Sequence, residues 1–172
     1  MTTQNFAARM VGAARLSSET YEEVEADAGA NGQAVAIVGL YSMAAAIGAN
    51  ASDPRSLIGI LVVSFLSWMI WVLLTLFIGT RLLPERTTRS DFGEILRTTG
   101  FSASPGIFMV FGRLPVIGGT VVAIVGIWML VTFVIAIRQA LDYTSTARAL
   151  AVCALGWIIH WVVIFGFSRT LI

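Results

Sequence analysis

One histidine, one cysteine and ten carboxylates are the groups with which this chain could do acid–base, thiol or metal chemistry. His160 lies in Trp157-Ile158-Ile159-His160-Trp161, inside the uncharged stretch between Arg148 and Arg169. An ionisable group in so apolar a segment is a candidate site, and a neutral imidazole between indoles is the kind of group that holds a pigment or a metal. A metal needs three or four ligands, however, and no second histidine and no carboxylate shares an apolar stretch with His160. The reading adopted is therefore structural: an interhelical hydrogen bond, or a histidine among tryptophans at a membrane interface. Cys153 has no partner for a disulfide or a thiolate metal site, which leaves packing as its role.

Eight of the ten carboxylates fall into two groups. Glu19, Glu22, Glu23, Glu25 and Asp27 lack the alternating ligand spacing and turn glycine of a calcium loop, so a solvated helix face is expected. Glu85, Asp91 and Glu94 alternate with Arg86, Arg89 and Arg97, which reads as local ion pairing on a surface also suited to docking a partner. No glycine-rich phosphate loop, nucleophile triad or catalytic carboxylate pair is present, so neither an enzyme nor a cofactor is expected.

What must position these residues is a membrane bundle. Hydrophobic residues make up 57% of the 172 and charged ones 12%, against roughly 25% charged in soluble domains. Uncharged gaps run from Asp27 to Asp53, Arg55 to Arg81, Arg113 to Arg138 and Arg148 to Arg169, and about 20 apolar residues suffice to cross a bilayer. The fold class expected is all-α, a polytopic bundle of about five transmembrane helices at 33–49, 57–80, 95–111, 115–137 and 147–167. Residues 1–32 are expected to be a cytoplasmic segment with short amphipathic helices: Phe6, Met10 and Ala13 share a face suited to the membrane surface, and Ser17, Ser18 or Thr20 can cap the next helix, Thr20 with Glu23 offering a capping box. Residues 168–172 are a short extracytoplasmic tail. Met1 to Leu16 has no apolar run of signal-peptide type, so the first span is expected to direct insertion.

The third span is the short one, interrupted by Gly100 and Pro105. Proline leaves the Phe101 carbonyl without its helical donor, and Ser102 or Ser104 can re-satisfy it, so a kinked or re-entrant helix is expected. Small residues such as Ala44 with Gly48, and Gly118, Gly119 and Gly126, favour close helix packing, including self-association. With five spans, Arg9, Arg15, Arg81, Arg86, Arg89, Arg97, Arg138 and Arg148 share one side and Arg55, Arg113 and Arg169 the other, placing the N-terminus in the cytoplasm. All cationic side chains are arginine, which points to a bacterial gene of high GC content and an inner-membrane location. Scattered arginines with a net charge of +1 make no nucleic-acid patch.

The stretch Arg97-Thr98-Thr99-Gly100-Phe101-Ser102-Ala103-Ser104-Pro105 resembles the Gly-aromatic-Ser-x-x-Pro element, preceded by arginine, of the Ypt-interacting (YIP) family. Thr20 to Asp27 and Ile137-Arg138-Gln139-Ala140-Leu141 resemble its bacterial branch. The resemblance implies five spans, a cytoplasmic N-terminus and an extracytoplasmic C-terminus. Eukaryotic relatives bind Rab-type GTPases, but their Asp-Leu-Tyr-Gly-Pro element has no counterpart here. The expected function is that of a non-enzymatic adaptor or organiser in the bilayer that binds membrane or cytoplasmic proteins. Arg86, Arg89 and Arg97 supply charge to its docking surface, and Phe101 supplies an apolar anchor. The first rival is a small-solute transporter or channel built on the broken third span; a pigment-binding subunit using His160 is the third reading.

Overall fold

The computed structural model describes the backbone of residues 5–170 and the side chains of residues 5–159. Among the described residues every regular element is helical. Two short helices, α1 (Phe6–Ala14) and α2 (Ser18–Ala26), form a hairpin, and a single 3₁₀ turn leads into α3 (Asn31–Gly48). Then follow α4 (Pro54–Phe77), extended by a π-helical turn at Ile78–Leu82, α5 (Phe92–Ser102), a 3₁₀ stretch at Ser104–Arg113, α6 (Gly118–Ala140) and α7 (Thr146–Thr170).

Local sequence sets the helix ends. The Asn5 side chain accepts from the Ala8 N–H and Ser17 from the Thr20 N–H, starting α1 and α2. Of the three cap candidates for α2, Ser17 is the one used, and Thr20 is instead buried where Gly12 of α1 leaves room for it. The reciprocal capping box forms instead at Asp91 and Glu94, ahead of α5. Asp53 accepts from the Arg55 and Ser56 N–H groups, both at 3.0 Å, with Pro54 in the first turn of α4. The chain leaves α1, α3 and α6 through Leu16, Asn50 and Asp142, each at positive φ. In each case the following N–H reaches back five residues to a helix carbonyl, as from Ser17 to Gly12.

Three segments are long and apolar enough to cross a membrane: Ala28–Gly48, Pro54–Leu82 and Gly118–Ala140. Thr146–Ile159 is a shorter apolar stretch within the described part of α7. Outward side chains of α4 and α6, among them Val63, Leu66, Leu73, Ile124 and Ile127, are more than half exposed. A continuous surface of that kind is wetted by lipid, not by water.

The break expected near Gly100 and Pro105 takes the form of a change of helix type. α5 ends at Ser102, and the chain continues as 3₁₀ through Arg113. Pro105 donates nothing to the Phe101 carbonyl; the Ser104 hydroxyl does so at 2.6 Å. The 3₁₀ stretch is wedged between α3 and α6, where any side chain at Gly48 would strike the Met109 carbonyl. α5 lies among α2, α3, α4 and α6, and Ile95, Phe101, Ile37, Ala136, Ile137 and Leu141 are fully buried in the core around it.

Candidate functional site

The residues of the GFSxxP-like element face inward. Phe101 is fully buried, and a methyl group on Gly100 would stand 2.6 Å from the Ala34 Cβ, so glycine is what lets α5 cross α3 at this distance. The Ser102 hydroxyl donates to the Thr99 carbonyl at 2.7 Å. Arg97 is 6% exposed. Its Nε donates to the Val24 and Glu25 carbonyls at 3.0 and 3.1 Å, Nη2 also to the Glu25 carbonyl, and Nη1 to Asn31 Oδ1 at 3.2 Å. α2 has no basic residue in its own last turn, and Arg97 of α5 supplies the cation that its carbonyl end attracts. Of the residues the sequence placed on a docking surface, Arg97 fastens α5 to α2 and α3, and Phe101 is buried in the core.

A second buried arginine closes the hairpin. Arg9, 2% exposed, pairs with Glu23 at 2.9 Å and Asp27 at 2.8 Å and donates to Gln33 Oε1 at 3.2 Å. Its hydrogen bond holds the Asp27 carboxyl below the usual range. The acidic segment is therefore only partly the solvated face that its composition implied. Glu22 accepts from Gln139 of α6 at 3.0 Å. Glu25, partly desolvated and near Glu94, Asp142 and Glu22, has its carboxyl pushed up to about 7 despite the opposing charge of Arg97. α1 also lies against the bundle: Trp128, midway along α6, donates to the Ala14 carbonyl at 2.7 Å.

The loop after α4 is tied down along its length. Tyr143 donates to the Gly79 and Leu83 carbonyls, Arg148 to the Pro84 carbonyl, and Thr87 to the Asp142 carbonyl. Glu85 accepts from both the backbone N–H and the hydroxyl of Thr144, which hold its carboxyl below the usual range, and lies 3.5 Å from Arg148. The expected pairing of Glu85, Asp91 and Glu94 with Arg86, Arg89 and Arg97 does not form. Glu85 turns to the α6–α7 connection, Asp91 and Glu94 cap α5, and Arg97 binds carbonyls. Arg86 and Arg89 remain exposed, with no hydrogen bond or ion pair among the described residues.

Between the helices, midway along α4 and α6, lies a cavity of about 1020 Å³. Trp68, Trp71, Met129, Phe133, Cys153 and Trp157 contribute to its wall, and no charged side chain lines it among the described residues. Trp68 Nε1 donates to Thr99 Oγ1 at 3.2 Å, and Thr99 Oγ1 donates to the Ile95 carbonyl at 2.6 Å. Trp71 packs edge-on against Phe133 and across Gly156. This enclosure had no motif to announce it; its signal is a tryptophan on α4 at i and i+3 opposite small residues on α6 and α7.

The side chain of His160 lies outside the described residues. Among those described, no group of three or more histidine, cysteine, aspartate or glutamate side chains is arranged to hold a metal ion. Comparison with curated proteins and with solved structures gave no match. The model of the Yip1 domain matches residues 16–167, a span that takes in α2, the Arg97 anchor, the tied loop and the cavity. The chain is a membrane protein of the Yip1 domain family.

Proposed function

We propose that the protein is a non-enzymatic membrane adaptor or organiser that docks other membrane or cytoplasmic proteins through the loop between α4 and α5. The observation that carries this reading is the contrast within that loop. Its backbone is fixed to the α6–α7 connection by Glu85, Thr87, Tyr143 and Arg148, while Arg86 and Arg89 point outward unpaired among the described residues. Binding to such a surface costs little ordering entropy, and two free guanidinium groups are suited to bidentate recognition of carboxylates. Arg97 and Phe101 act behind this surface by seating α5, not on it.

The proposal includes five crossings, with the α5–3₁₀ unit as the third. Eleven α residues at 1.5 Å and ten 3₁₀ residues at about 2.0 Å extend roughly 36 Å end to end, enough for a hydrocarbon core of about 30 Å. It also includes a bacterial inner-membrane location with the tied loop in the cytoplasm, supported by the division of arginines.

Affinity purification from native membranes in mild detergent, comparing the natural chain with Arg86→Glu/Arg89→Glu, tests the docking surface. A stoichiometric partner retained by the natural chain and lost by the variant, at equal thermal stability, is expected. Equal recovery from both would remove this surface. The transporter reading needs a polar path, whereas the cavity wall carries no charge among the described residues; solute flux in proteoliposomes without any partner would restore it.

A further inference from the structure

The mid-span cavity has a floor and a rim of different character. Trp68, Thr99, Ser102 and Cys153 on the floor are each no more than 9% exposed. Val63, Ile127, Leu130, Leu150 and Ile158 on the rim are each more than half exposed. The mouth thus opens sideways through aliphatic side chains of α4, α6 and α7, at the depth where acyl chains surround the protein. Water finds few partners on the floor, whose groups are already bonded: Trp68 donates to Thr99, Thr99 to the Ile95 carbonyl, and Ser102 to the Thr99 carbonyl, which leaves the hydroxyls of Tyr41, Ser64 and Ser67 as the polar groups of the remaining wall. A dry void of about 1020 Å³ would forfeit dispersion contacts over its whole lining.

Gly126 and Ala123 stand at the entrance of the cavity. Gly126 lies in the middle of α6, on the wall of the cavity. A Cβ there would meet nothing within 4 Å among the described residues. The lined length decides between occupants. From Val63 to Trp71 on α4 and from Ala123 to Phe133 on α6 the rise is about 12–15 Å. That is about half of the ~30 Å hydrocarbon core, centred on mid-span and so within reach of the distal part of an acyl chain, and too short a groove to seat a spanning helix of a second copy.

We propose that this cavity binds one hydrocarbon chain of a bilayer lipid, inserted laterally between α4 and the α6–α7 pair with its headgroup left at the membrane surface. Gly126 and Ala123 keep the entrance open, and the indoles of Trp68, Trp71 and Trp157 flank the chain. The site is separate from the docking loop, and neither depends on the other.

The test uses the full chain in phosphatidylcholine vesicles containing a phosphatidylcholine with a diazirine midway along one acyl chain. After irradiation, adducts are mapped by peptide mass spectrometry. Adducts are expected on the floor, at Trp68, Met129 or Cys153, as well as on the outward residues Leu73 and Ile124. Gly126→Leu, which fills the entrance, should lose the floor adducts and keep those at Leu73 and Ile124. If that variant fails to insert, Ala123→Val with Gly126→Ala provides a smaller filling with the same expectation. Absence of floor adducts in the natural chain, their persistence in a filled variant that has inserted, or crosslinks from the floor to a second copy would each overturn the proposal.

Discussion

A guanidinium can serve three acceptors at fixed angles, whereas an ammonium is a compact donor on a flexible stem, and Arg97 uses the difference. Its acceptors are two carbonyls at the end of α2 and the Asn31 side chain at the start of α3. Arg97→Lys should therefore leave at least one buried acceptor unserved, at a cost of about 1–3 kcal/mol. Lower thermal stability, with faster hydrogen exchange in α2 than in α6, is the expected result. Glu25 adds a pH dependence to the same contact. Its carboxyl is raised from 4.5 to about 7 in the fold by burial first, then by Glu94 and Asp142, with Glu22 adding and Arg97 opposing. A raised carboxyl favours the protonated fold, so the stability it contributes is full below about 4.5 and is lost as pH rises through 7. Exchange of α2 amides, corrected for intrinsic rate, should speed up between pH 5 and 8, and Glu25→Gln should flatten that profile. At this scale the sequence was legible by type and misleading by partner. It marked Arg97 and Phe101 as parts of one functional element, but one chain read alone does not say that Arg97 donates to α2 and α3 or that Phe101 is buried in the core.

Between one residue and the whole molecule, the helices were easy to find where apolar runs are long and harder where backbone geometry changes. α4 and α6 follow directly from uninterrupted uncharged stretches. The segment from Phe92 to Arg113 does not, because proline dictates only that the α-helical hydrogen bond from residue 105 is missing. Whether the chain kinks, stops or tightens into 3₁₀ depends on the wedge between α3 and α6, a long-range effect. The hairpin shows the same limit. Its amphipathic pattern fitted a membrane surface equally well, and the choice of the bundle is made by distant partners: Gln33 of α3 for Arg9, Trp128 of α6 for the Ala14 carbonyl. Trp128 is also stacked on Phe108, with ring centroids 5.7 Å apart, so Trp128→Phe removes the hydrogen bond while retaining an aromatic contact. A loss of about 1 kcal/mol is expected, appearing as earlier proteolysis within α1 while α3 to α6 stay protected.

For the whole molecule the decisive quantity is which ends of the helices share a side. The α4–α5 loop and the α6–α7 connection are joined by hydrogen bonds from Tyr143, Thr87 and Arg148, so these two connections lie on one face whatever the direction of insertion. The α3–α4 turn at Ser52, beyond the far end of α3, belongs on the other if α4 crosses the bilayer once. Eight arginines of the eleven fall on the first face in a five-span arrangement, and loops rich in arginine stay in the cytoplasm. A membrane-impermeant maleimide applied to Cys153→Ala chains should therefore label Ala147→Cys only when the cytoplasmic side is open, and Ser52→Cys only from outside. Both positions are exposed, so failure to label reports the membrane and not burial. Ser90, in the tied loop, is a poor probe because its hydroxyl is buried. Labelling of both positions from one side would mean that α4 does not span. The arginine count would then lose its meaning, and the docking surface at Arg86 and Arg89 would have to be sought by partners on that side alone.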